Sequence, residues 1–91
     1  MRNMPEITLT LQIFREGGKF VSYTPELDVS SCGATSEIAR KNLKDAVVGF
    51  LKSAYKIGTI DEILEQAGFV HKEDAWTTPE FVALDRFTVA V

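Results

Sequence analysis

Cysteine, histidine and tryptophan occur once each in these 91 residues, and each scarcity excludes something. Cys32 alone cannot close an internal disulfide, a usage that fits a reducing compartment. A zinc site draws on about four ligands at recognisable spacing, and no Cys-x-x-Cys pair is present to join His71. Long apolar runs are missing as well: stretches such as Phe87 to Val91 fall far short of the roughly 20 residues that span a bilayer, so no membrane helix is expected. Met1-Arg-Asn-Met-Pro5 leads straight into an alternating pattern, without an apolar signal core or a small-residue cleavage site, and a cytoplasmic protein is the expectation. Positive charge is also in short supply. A net charge of -3 argues against bulk contact with nucleic-acid phosphates, which needs a surplus of Lys and Arg on one surface.

What is present suits one small globular domain. Hydrophobic residues at 45% and charged residues at 25% are ordinary values for a folded chain. No repeat, low-complexity tract or linker divides the sequence, so residues 1–91 read as a single domain whose short length allows only a thin core. Charge is unevenly spread: Arg40, Lys41, Lys44, Lys52 and Lys56 against Glu37 and Asp45 give the Ser36–Lys56 stretch +3, which leaves -6 elsewhere.

The first third of the chain has the period of strands. Ile7, Leu9, Leu11 and Ile13 alternate with Thr8, Thr10 and Gln12, which predicts a half-buried strand from Ile7 to Phe14. Gly17-Gly18 predicts a tight hairpin turn, because glycine tolerates positive φ, and a second strand returns over Lys19 to Thr24. Pro25 removes a backbone donor and interrupts that strand, and a short third one follows over Leu27 to Cys32. The period then changes. Thr35 or Ser36 is placed to cap a long amphipathic helix, with Glu37 in its positive first turn. Its apolar positions, Ile38, Ala39, Leu43, Ala46, Val47, Phe50, Leu51, Ala54 and Tyr55, form one stripe against a sheet, and Gly58 ends it. Thr59-Ile-Asp-Glu62 has the form of a capping box for a second helix from Ile60 to Ala67, stopped by Gly68. Phe69 to Pro79 reads as a loop pinned to the body by Trp76, and Phe81 to Val91 as a last strand, with a bulge or edge position near Asp85-Arg86. The expected fold is α+β in the order β-β-β-α-α-β: a three-stranded antiparallel meander plus a C-terminal strand, with the long helix packed on one face.

That order, with Tyr23-Thr-Pro-Glu-Leu-Asp28, Cys32-Gly-Ala-Thr35, Ala39 and Asn42-Leu-Lys-Asp-Ala46, resembles the HicB antitoxin-like family. Its members show a Tyr-x-Pro-x-Leu strand end, a Gly-x-Thr turn and a helix containing Ala and Asn. The likeness covers most of Ile7 to Leu51, and Gly68-Phe69, Trp76, Pro79 and the Val-rich end resemble the stand-alone members more loosely. The resemblance implies a partial ribonuclease H-like fold, a dimer or tetramer, and a non-catalytic domain that binds and blocks a small basic HicA-type RNA-cleaving toxin. Many antitoxins of the family continue past the last strand into a DNA-binding segment. This sequence stops at Val91, so DNA binding by this chain alone is not expected. Two other readings are a self-assembling orphan domain and a divergent metal-dependent nuclease.

Ribonuclease H-type hydrolysis uses carboxylates that converge on two metal ions about 3.5 to 4 Å apart. The first strand contains no Asp or Glu, only Glu6 and Glu16 flanking it; Glu37 is accounted for by the helix dipole, and Asp85 stands alone in the last strand. No catalytic residue, cofactor or metal is therefore assigned. Cys32 reads as a small strand residue and His71 as an exposed loop residue. Gly17-Gly18 is too short for a phosphate-binding loop and lacks the accompanying Lys-Ser or Lys-Thr pair. The basic helix stripe reads as a solvated face, since Glu37/Lys41 and Lys41/Asp45 are i,i+4 pairs and Lys52 and Lys56 suit the negative helix end. Tyr23, Pro25, Glu26, Leu27 and Asp28 bring an aromatic, an aliphatic and two carboxylates to a proline-broken strand end, a composition suited to gripping a basic partner. The alternative stands beside it: Pro25 turns the chain and Tyr23 packs inward. Trp76 and Phe81 are the candidates for contact between copies in a homo-oligomer.

Overall fold

A computed structural model describes residues 6–73, 75–78 and 80–91. Met1 to Pro5, read as a start without a signal, and Asp74 and Pro79, read as loop, lie outside the described residues. The fold is mixed α+β, with six strands in two small sheets and two helices. One sheet is the expected antiparallel meander of β2 (Gln12–Glu16), β3 (Lys19–Thr24) and β4 (Val29–Gly33). Its first turn is Gly17-Gly18 between paired Glu16 and Lys19; only Gly17 has positive φ, at 62°, the pattern of a type II′ turn. Pro25 to Asp28 makes the second turn, and Asp28 closes it in the left-handed region at φ 54°. That conformation suits a short polar side chain better than a branched one.

α1 (Ser36–Ile57) packs on β4 and β3 and scarcely reaches β2. Its start is welded to the sheet. The Thr35 side chain caps it by accepting from the Ile38 N–H at 3.1 Å, Ser22 Oγ donates to the Ala39 carbonyl at 2.7 Å, and Asn42 Nδ2 donates to the Cys32 carbonyl at 2.9 Å. Gly33 permits this close approach: a Cβ there would stand 2.7 Å from the Ala39 nitrogen. Gly58, at φ 80°, ends the helix by donating to the Ala54 and Tyr55 carbonyls. The core joins Leu43, Val47, Leu51 and Ala54 of α1 to Ile60 and Leu64 of α2 (Ile60–Gln66), with Phe69 and Trp76 from the segment that follows.

Five expectations need correction. The stripe of α1 is narrower than its apolar spacing predicts: Ala39, Leu43, Val47, Leu51 and Ala54 are buried, while Ile38, Ala46, Phe50 and Tyr55 are exposed. A helix of 22 residues is about 33 Å long and overhangs strands of five or six residues. Thr59 makes no side-chain cap to α2; its backbone is not extended, and its hydroxyl turns back to the Ala54 carbonyl at 3.5 Å. The stretch read as a loop from Phe69 contains a hairpin, β5 (Val70–Lys72) with β6 (Ala75–Thr77), and β6 pairs in parallel with β1 (Glu6–Ile7) to make the second sheet. The strand expected over Ile7 to Phe14 is thereby divided, since Thr8 to Leu11 belongs to neither sheet. Phe81 to Val91 forms no strand, because alternation supplies a face but the described residues supply no neighbour for it.

Candidate functional site: the turn between β3 and β4

The segment Tyr23 to Asp28 folds as a braced turn. The β2–β3 ladder runs out past the Gln12–Tyr23 pair, where Pro25 takes the chain away from the sheet, and the Thr10 N–H is left without a carbonyl. Glu26 replaces it. Its carboxylate accepts from the Thr10 N–H at 3.0 Å, the Thr10 hydroxyl at 2.6 Å and the Thr24 hydroxyl at 3.1 Å. Partial burial pushes the Glu26 carboxyl up, and the hydrogen bonds from Thr10 and Thr24 outweigh it, so its pKa lies below the ordinary value. The carboxylate is fixed in place and ionised.

The neighbours divide between inward and outward roles. Leu27 is half-buried and packs against the core, while Pro25 and Asp28 are exposed. Tyr23 is half-buried, and its hydroxyl donates to Asp28 Oδ1 at 2.8 Å; that bond, with the nearby carboxylate, raises the phenol's pKa. Pro25 stands in the turn that follows β3, and the Tyr23 hydroxyl meets Asp28 at the exposed side of that turn.

Trp76 does not lie on the surface. It is 5% exposed, sits in the core beside Ile7, and stacks on His71 with ring centroids 4.7 Å apart, so it holds the β5–β6 hairpin to the body and cannot serve as an exposed contact between copies. Its indole Nε1 has no hydrogen-bond partner among the described residues. Phe81, in contrast, is 63% exposed. Cys32 is exposed at the surface of β4, and no group of three or more His, Cys, Asp or Glu among the described residues is arranged to hold a metal ion. On the basic side of α1, Lys41 donates to Asp45 at 2.8 Å, an exposed pair that raises the lysine's pKa and adds little stability.

Sequence reasoning missed two features. The Glu26–Thr10 bridge was foreshadowed only by a carboxylate next to a strand-breaking proline. An apolar trough between Leu9 and Leu11 on one side and Leu43, Val47 and Val48 on the other was hidden because four of the five read as core and Val48 was not singled out. No family model, curated protein or solved structure matches this chain. Among the described residues, no helix is long and apolar enough to cross a membrane.

Proposed function

We propose that this chain is a non-catalytic protein-binding domain, a HicB-like antitoxin or antitoxin-derived module that acts in the cytoplasm as a homo-oligomer. In this reading it neutralises a small basic RNA-cleaving toxin of the HicA type by covering it. The braced β3–β4 turn carries the reading. Glu26 fixes the loop through three hydrogen bonds, so an aromatic ring, a proline and the Asp28 carboxylate are held out with little conformational entropy left to lose on binding. An acidic and aromatic surface of this kind complements a basic partner, and the chain's net charge of -3 assists the encounter. The joint made by Gly33, Thr35, Ala39 and Asn42 agrees with this. These residues carry much of the family resemblance, and their contacts here are structural, locking β4 to α1.

Co-expression with the product of the adjacent reading frame tests the proposal. A small basic protein should co-purify with this chain, and Asp28→Lys should weaken the complex roughly tenfold or more, the effect of reversing one charge at an interface. Failure to co-purify, or indifference to Asp28→Lys, argues against it. The self-assembling orphan reading draws on a separate observation, the uncovered apolar surface described next, and it would stand alone if no such partner exists.

A further inference from the structure

From Glu80 to Val91 the chain runs without helix, ladder, turn or bend, and every residue is exposed. This arm is far from polar: Val82 and Phe87 are each 86% exposed, and Leu84 and Val89 about as open as Phe81. Phe87, Val89 and Val91 alternate with Thr88 and Ala90, so extended backbone sets three large apolar groups on one side. The whole molecule registers the exposure. Its accessible surface is 7219 Å², against about 5,300 Å² for a compact monomer of this mass. Its radius of gyration is 15.3 Å, against about 12 Å for a compact chain of this length. The excess surface, roughly 1,900 Å², is more than twice the area of about 800 Å² that each partner contributes to a standard stable interface.

The body offers a place of matching chemistry. Because α1 lies over β4 and β3, the sheet's other flank is left open as a trough of about 310 Å³, lined by Leu9, Leu11, Leu43, Val47 and Val48, with Lys44 as its one charged lining residue. We infer that the arm of one copy beds in the trough of a second copy, which returns its own arm in a two-fold exchange. After Glu80 the arm has no glycine, proline or asparagine, and at Asp85, its one residue of a turn-forming type, the chain runs on without a turn or bend. Each copy carries both halves of the contact, so the pair closes on itself and covers both arms. The inference rests on the homo-oligomer part of the proposed function and names its surface; it is independent of any toxin.

Light scattering on the full chain at micromolar concentration should give at least twice 10.1 kDa. Phe87→Asp with Val89→Asp, or Val48→Asp alone, should bring the mass down to one chain while the far-ultraviolet circular dichroism is kept. Ile57→Asp, an exposed change outside the trough, should leave the oligomer intact. A crosslink identifies the occupant: in a Cys32→Ser background, chains carrying Val48→Cys and chains carrying Val89→Cys should oxidise to a mixed covalent dimer. A wild-type monomer, an oligomer that survives both arm and trough variants, or a disulfide closing within a single chain that carries both cysteines would each overturn the inference. Co-purification of a basic partner bears on none of these outcomes, so the two proposals fail separately.

Discussion

A carboxylate that accepts three hydrogen bonds at a strand end substitutes for a missing stretch of ladder, and Glu26 does this for Thr10 and Thr24. Glu26→Gln keeps an acceptor but loses the charge, and should cost about 1 to 2 kcal/mol in denaturant unfolding at neutral pH. The sign of the pH dependence follows from the lowered pKa. A carboxyl depressed in the folded state stabilises it fully above its ordinary value of 4.5 and loses that contribution as pH falls through the folded value. The gap between wild type and variant should therefore close as the pH is taken below about 4.5; a gap that widened in acid would contradict the assignment. Gly33 gives a second test at this scale. Gly33→Ala would drive a Cβ against the Ala39 nitrogen and Ile38 Cγ2, both at 2.7 Å, and should lower stability by about 1 to 3 kcal/mol as the joint between β4 and α1 is forced open.

Among the elements, those defined by local chemistry were legible and those defined by a neighbour were not. α1 is announced by its cap residue, its apolar spacing and Gly58, all of which act within the helix itself. Thr35→Ala removes the hydroxyl that accepts from the Ile38 N–H, and thermal unfolding should report a loss of about 1 kcal/mol, with Thr35→Ser recovering most of it. The Gly17-Gly18 hairpin was legible for the same reason, since its turn geometry is written in two residues. A strand, by contrast, is completed by its partner. Ile7 to Phe14 alternates throughout, yet the chain pairs one end with β6, the other with β3, and leaves Thr8 to Leu11 between them. β5 and β6 are three residues each, too short for a period to show. Phe81 to Val91 has the composition of a strand and no partner within the described chain, which is where sequence alone says least. The candidate site was partly visible: Pro25 and the carboxylates marked the turn, but nothing in the residue order set Glu26 inward and Asp28 outward.

At the scale of the molecule, no cluster of acidic groups forms among the described residues, and the arm leaves large apolar side chains exposed. Asp85 is exposed on the arm, away from any cluster that could hold two metal ions among the described residues. Purified protein should leave RNA, DNA and hybrid duplex intact in Mg²⁺ or Mn²⁺, and a cleavage that vanished with Asp85→Asn would refute the non-catalytic reading. A domain that acts by covering its partner should instead show its effect on another protein's chemistry. The most direct measurement is RNA cleavage by the product of the adjacent reading frame, followed as this chain is titrated in. Cleavage should fall to background near one equivalent of chain and return when Asp28→Lys is used at the same concentration. Cleavage that continues unchanged with the wild-type chain in excess would contradict the covering role.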